Sequence, residues 1–598
     1  MPDWIAIISP NERVEVRIGL DTDGRQQNAL KWHLLKDGRD VIAPSRLGLH
    51  PEGLPPWGTN LRRLSAEDSR GVEAWDPVHG EQAHVEMSYA EAEVIFVEDV
   101  PPGRTIRIRA RVFDNGVAIR YERPDDERGA WGVAAEDTAF RFPEGSVGYR
   151  QAWPEDRYHP TDVAELPSPT MCPLLVDVSG GGYAIVHEAA NRDAGRMVLA
   201  ADGRSKILKA EPQGVTVLRP GDTTPWRVVL LADSLDELIG VGSDVASLCP
   251  SSAIGDTSWI VPGKCIREVT LSTEGGHACI DFAKAHGMRH ILYDAGWYGH
   301  EYDDHSDPRT VDPDPDRTDK IPGWPGLDLQ NVIDYGKSQG IGVFLYVNRR
   351  HLERYLDDLL PLFQKWGVAG IKFGFVNVGP AGWTSWLYDA IERCAEHQLM
   401  VDVHDNFRPS GLSRTYPNLL TQEGVRGNEH FPEPSHNCLL PYARFVAGAA
   451  DYTVCYKQSR LQTTSAHQLA IAAAFYSPLQ LIYWYSRPSE FDPKVLPEMS
   501  WFDRVPTVWD ESVGLGGELG QWSAVARRAG DVWYVGVLNN EEAKSVVLPL
   551  ERLGGTSWNI ERFEDDGSGG VLGSNGAIGG EIQLDLQSGG GSALVLEA

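Results

Sequence analysis

A disulfide framework, a zinc motif and a membrane span are all missing from this 598-residue sequence. Its seven cysteines (172, 249, 265, 279, 394, 438, 455) stand singly, with no CxxC pair, so they read as free buried thiols. No stretch approaches the roughly 20 apolar residues that a bilayer requires. The opening "MPDWIAIISPNERVEV" lacks the basic start and apolar run of a signal peptide, so the chain reads as cytoplasmic unless a leader was removed. Positive charge is scarce: 55 Lys and Arg against 85 Asp and Glu leave a formal charge of −30. Such a surface repels nucleic acid and anionic membrane, which excludes both as natural partners. GxSxG and Walker A motifs are also absent, and "SGGG" at 179–182 falls in a hairpin, not in the strand-to-helix turn of a dinucleotide site.

What remains is a chain too long for one core. Up to about residue 250 it alternates in the β manner. In "RTIRIRARVFDNGVAIRYE", Ile106, Ile108, Ala110 and Val112 share a face, and Asp114-Asn115-Gly116 supplies the turn. This part reads as a large antiparallel sandwich. The pattern then changes to strand, loop, helix: "HILYDAGWYG" (290–299), "IGVFLYVNRR" (341–350), "AGIKFGFVNVG" (369–379), "LMVDVHDNF" (399–407) and a late "SPLQLIYWYS" (477–486). Parallel βα units in succession predict a (β/α)₈ barrel over 251–504. After 505, β alternation returns in "DVWYVGVLNN" and "KSVVLPL", predicting a small C-terminal β-domain over 505–598 and three domains in all.

Barrel chemistry sits at the C-terminal strand ends, which selects Asp294, Trp297, Asn348, Lys372, His404 and Asp405, then Glu423 and Glu429 in the next unit. Singly, each has a structural explanation: Asp405 as a cap or turn residue before Pro409, Glu423 as a partner of Arg426, Glu429 as a solvated acid. Together, a lysine, a histidine and several acids on one rim suggest ligand binding. Paired carboxyls suit glycoside chemistry, in which one protonates the leaving oxygen and the other serves as base or nucleophile. The acids Asp312, Asp314 and Asp316 have D-x-D-x-D spacing, but prolines separate them and no Glu closes the loop, so they read as solvated.

The blocks "DTSWIVPGK" (256–264), "IDFAKAHGMRHILYDAGWYG" (280–299), "GIKFGFVNVG" (370–379), "RPSGLSRTYPNLLTQEGVRGNEH" (408–430) and "VPTVWDESVGLGGELGQWSAVARRAGDVWYVG" (505–536) resemble glycoside hydrolase family 97, the α-glucosidase and α-galactosidase family, over nearly the whole chain. The resemblance implies an N-terminal β-super-sandwich over 1–250 and a calcium-assisted exo-α-glycosidase of small glycosides or oligosaccharides, as monomer or homodimer. It makes Glu429 the general acid and Asp405 the catalytic base and metal ligand. It assigns Glu423 to calcium, with Glu155 as the sandwich-domain ligand. His404 and Lys372 fall at substrate-binding positions and Trp297 is expected to line the pocket, while Asn348, at a strand end, is a further candidate for binding substrate.

Two departures stand out. Retaining members carry an Asp nucleophile where this chain has Gly374, and inverting members carry a second Glu base where it has Asn348, Arg349 and Arg350. The expectation is therefore an inverting α-glucosidase with Asp405 as base and a carboxyl separation of roughly 6.5–9.5 Å. The rivals are an α-galactosidase or other α-glycosidase with a variant mechanism or an acidic substrate for the arginines, and a non-hydrolytic carbohydrate-binding protein.

Overall fold

The computed structural model describes residues 3–23, 26–125 and 129–598. Its N-terminal part is antiparallel throughout. The central hairpin pairs Thr105–Phe113 with Gly116–Glu122, with Phe113 opposite Gly116, so Asp114 and Asn115 alone make the turn. Ile106, Ile108, Ala110 and Val112 are fully buried. The alternate residues Arg107, Arg109 and Arg111 lie on the opposite face and pair with Glu91, Glu93 and Glu122. Period-2 patterning thus separates an apolar face from a charged one.

The barrel follows. Its ladder strands are β1 (Gly263–Glu268), β2 (His290–Tyr293), β3 (Gly342–Asn348), β4 (Gly370–Gly374), β5 (Met400–Val403), β6 (Leu419–Gln422) and β7 (Leu479–Ile482). All neighbours are parallel, and β7 returns to pair with β1. Between β6 and β7 the eighth position is held by residues 451–454: the Asp451 N–H donates to the Gln422 carbonyl at 3.2 Å and the Val454 N–H to the Leu481 carbonyl at 2.9 Å. The eightfold barrel is therefore present, with one stave reduced to a bridge.

Helices pack outside because their sequences leave one apolar stripe. In α1 (Arg349–Trp366), Leu352, Leu356, Leu359, Leu360 and Phe363 are buried at i, i+4, i+7, i+8 and i+11. Each stabilises the fold by about 1.5–3 kcal/mol. The Asn348 side chain caps the first turn by accepting from the Arg350 N–H, and Gly367 ends the helix at φ 87°. The C-terminal part, from Glu511 to Glu597, is a six-stranded antiparallel sheet with a separate two-stranded ribbon. All seven cysteines are buried and unpaired. No helix among the described residues is long and apolar enough to cross a membrane.

One buried acid at the junction of sandwich and barrel makes a stability prediction. Asp244 lies in the short helix Gly242–Ser247 and accepts a hydrogen bond from the Asn115 amide, yet burial pushes its pKa up to about 7. A carboxyl whose folded pKa is raised favours folding in its neutral form. Its contribution is complete below the unfolded value and disappears as pH rises through the folded one. At about 1.4 kcal/mol per unit, wild type should lose roughly 4 kcal/mol relative to Asp244→Asn between pH 4 and 8. Urea melts of both proteins across that range check it, and parallel stability curves would contradict it.

Candidate active site

Strand alternation sends every second residue into the barrel. The lower interior layer is apolar, with Cys265, Leu292, Phe344, Met400, Leu420 and Leu481 in one cluster. One step higher the same faces become polar. Tyr346, Lys372 and Asp402 lie in register on β3, β4 and β5, with Arg267, Asp294 and Gln422 on their neighbours. This change of layer, and not any single loop, builds the site.

Lys372 is its buried cation. Its Nζ lies 3.1 Å from Asp294 Oδ2 and 4.1 Å from the Trp484 ring centroid, and it is 3% exposed. Burial alone would strip its proton, but the charges of Asp294, Asp451, Glu429 and Asp402 outweigh burial and hold its pKa above the usual lysine range. The same pairing keeps Asp294 well below the ordinary carboxylate range despite burial.

His404 is clamped between carboxylates: Nε2 lies 2.6 Å from Asp451 Oδ2 and Nδ1 3.1 Å from Glu423 Oε2. Burial opposes its charge, but these acids push its pKa up, well above the usual histidine value. Beneath it, burial, first, and the Asp451 charge push the Asp402 pKa up.

Glu423 does not pair with Arg426. Its Oε2 accepts the Asp405 N–H at 2.7 Å as well as facing His404. Asp405 has φ 69°, a left-handed conformation that costs a non-glycine residue energy. Its carboxylate accepts the Phe375 N–H, and burial raises its pKa. Oδ2 of Asp405 is buried with no hydrogen-bond partner. Ligand oxygens of Glu155, Asp405 and Glu423 all lie within 4.8 Å of one another. Burial, first, and neighbouring acids including Glu155 raise the Glu423 pKa above the usual glutamate value. Three carboxylates at this spacing around an unsatisfied oxygen can hold a metal ion, and an all-oxygen set suits a hard cation.

Glu155 reaches the barrel from the sandwich because Arg408 ties its loop there. The buried guanidinium donates to Gln151 Oε1 (2.5 Å), the Pro154 carbonyl (2.8 Å), the Cys172 carbonyl (2.8 Å) and the Gly424 carbonyl (2.9 Å). Glu429 follows β6 in a 3₁₀ turn over Asn428–His430 and accepts the Trp484 indole N–H at Oε1, 2.9 Å away. Glu429 also lies within 4.8 Å of His404 and Glu423 ligand atoms.

The structure thus gathers Lys372, His404, Asp405, Glu423, Glu429 and Glu155. Two expectations need correction. Trp297 does not line a pocket: it is fully buried, donates its indole N–H to the Tyr346 carbonyl at 2.7 Å and packs on Tyr298 and Phe363, so it has no surface to offer a sugar. Asn348 is 1% exposed, and its amide serves the helix cap, Glu301 and Tyr346. Arg349 binds Glu353 and the Phe375 carbonyl, while Arg350 donates to the Tyr302 carbonyl. Both arginines therefore have protein partners, which weakens the case for an acidic substrate. Asp314, expected to be solvated, is instead buried and caps the short helix Pro315–Thr318.

Sequence reasoning missed Trp484, two residues beyond the end of β7. Lys372 and Arg267 (4.5 Å) both sit over its ring, and the only signal in the sequence was its position past a strand end. A cavity of about 380 Å³ lined by Trp75, His79, Leu412, Arg414 and Tyr476 contains none of the clustered acids, and its size alone gives it no chemistry.

Comparison with known proteins agrees with this architecture. Residues 7–245 match the family model "Glycosyl-hydrolase 97 N-terminal", 265–425 match "Glycoside hydrolase 97", and 508–597 match "Glycosyl-hydrolase 97 C-terminal, oligomerisation". A Streptomyces bingchenggensis protein named "Probable retaining alpha-galactosidase" is 27% identical over 606 residues, covering 97% of this chain and 90% of the relative. A "Retaining alpha-galactosidase" of Bacteroides thetaiotaomicron is 26% identical over 650 residues, covering 95% and 94%. Among solved structures, a family 97 enzyme of Pseudoalteromonas sp. strain K8 in complex with acarbose superposes with a TM-score of 0.89 at 22% identity, covering 99% of this chain and 100% of that one.

Proposed function

This chain belongs to glycoside hydrolase family 97 and is an α-glycosidase, and from that premise we propose that it releases terminal α-glucosyl units with inversion. The observation that carries this reading is the layout around Gly374. A Cβ on Gly374 would lie 2.0 Å from the Tyr346 ring, so no side-chain nucleophile fits there, whereas Asp405 lies two residues past the end of the following strand. Glu429 protonates the departing oxygen, Asp405 faces the attacking water, and Lys372 and His404 bind sugar hydroxyls. Glu155, Asp405 and Glu423 would hold calcium, which when bound supplies positive charge at the sugar-binding end of the site.

The names of the two relatives favour a second reading, an α-galactosidase. Proton NMR of the first-formed sugar, with p-nitrophenyl α-glucoside and α-galactoside in parallel, decides both points. The expected result is faster glucoside cleavage releasing the β-anomer. A first-formed α-anomer rules out inversion, and faster galactoside cleavage favours the second reading.

A further inference from the structure

The barrel mouth holds one acid that the reading above leaves unused. Glu301 lies in the loop after β2, and its side chain is 14% exposed. Its Oε2 accepts the Tyr346 hydroxyl and the Asn348 amide (3.4 Å), two groups that alternation on β3 points into the barrel. Among the described residues its Oε1 meets Arg317 alone, 3.9 Å away. Both donors sit on one oxygen, which leaves the other available as an acceptor. Burial and the Glu301 charge raise the Tyr346 pKa far above the phenol range, so this hydroxyl keeps its proton and acts as a donor.

The placement is specific. Tyr346 occupies the space a side chain at Gly374 would take, with its hydroxyl 2.3 Å from the Cβ position, and Asn348 lies in register with Gly374. The Tyr302 phenol, 5.1 Å ring to ring from Phe375, feels the charges of both Glu301 and Asp405. Phe375 in turn donates its N–H to Asp405. Glu301 and Asp405 therefore flank the same corner of the mouth.

Asp405 already belongs to the three-carboxylate cluster, whereas Glu301 stands apart from that cluster on the other side of the corner. We propose that Glu301, held by Tyr346 and Asn348, is a second catalytic base that takes the proton from the attacking water while Asp405 orients that water. This rests on the inverting reading. The water oxygen bonds to the anomeric carbon as the glycosidic C–O bond breaks. The water proton passes to Glu301 and the Glu429 proton to the departing oxygen, and solvent returns a proton from Glu301 to Glu429 afterwards.

The test is Glu301→Gln with Tyr346→Phe beside it. For Glu301→Gln, kcat should fall roughly 10²–10⁴-fold, with KM changed less than about threefold and the thermal midpoint unmoved. Azide, a nucleophile that needs no base, should restore turnover and yield the β-glycosyl azide. Tyr346→Phe should lower kcat about tenfold through the lost donor, and it carries the test if the glutamine variant does not fold. Glu301→Gln with kcat within threefold of wild type, or a loss that azide does not repair, overturns the proposal. The anomer released by wild type separates the two claims: an α-product fails the inverting reading itself, whereas a β-product with a fully active Glu301→Gln fails only the assignment of Glu301.

Discussion

Glu429→Gln is expected to abolish most turnover on oligosaccharides, by roughly 10²–10⁴-fold in kcat, while p-nitrophenyl glycosides lose far less. The contrast follows from what the residue does. A sugar leaves as an alkoxide and needs a proton in the transition state, whereas p-nitrophenolate departs unaided. Glutamine keeps the shape and still accepts the Trp484 indole N–H that holds Oε1 at 2.9 Å, so the pocket stays intact and only the transferable proton is lost. Lys372 keeps its ion pair with Asp294, 3.1 Å away, in the variant. Initial rates on both substrate types, with thermal melts to confirm folding, check the expectation. Equal losses on both would identify Glu429 as a binding group and not the acid.

How far the sequence revealed this site depends on whether the signal was local. Strands β2 to β5 and β7 were visible as short apolar runs because their outward faces lie under helices. β1 was not, since Lys264, Arg267 and Glu268 interrupt its run; Lys264 is there to donate to the Phe502 and Val505 carbonyls. The stave at 451–454 has two ladder contacts and no β-branched run, so no periodicity announces it. Asp405, Glu423 and Glu429 were picked out by their place past strand ends and by a block that resembles the family. Trp484 offered no signal beyond its place past a strand end, and Glu301 meets Tyr346 and Asn348 only once the loop after β2 folds over the barrel. Trp297 shows the converse error. An aromatic just past a strand end serves a sugar pocket or a hydrophobic core equally well, and only its burial tells which.

The second large effect concerns the cluster shared by sandwich and barrel. Exhaustive chelation is expected to remove most of the activity and lower the thermal midpoint, with calcium restoring both. Ligand oxygens of Glu155, Asp405 and Glu423 sit within 4.8 Å of one another, and mutual repulsion adds to burial in raising the pKa values of Asp405 and Glu423. The raised pKa values mean that Asp405 and Glu423 bind protons more readily without a cation, so cation binding competes with protons and should weaken as pH falls toward 5. Because the cation binds only the folded form, calcium at 100 times its dissociation constant should add about 2.7 kcal/mol of stability. Glu155→Ala is the sharper test, since that ligand comes from the sandwich on the loop Arg408 ties down. It should lower calcium affinity at least about tenfold while leaving the barrel acids in place, as titration of the calcium-dependent melting shift would measure. Wild-type affinity in Glu155→Ala, or full activity after chelation, would show that the three carboxylates meet without sharing a cation.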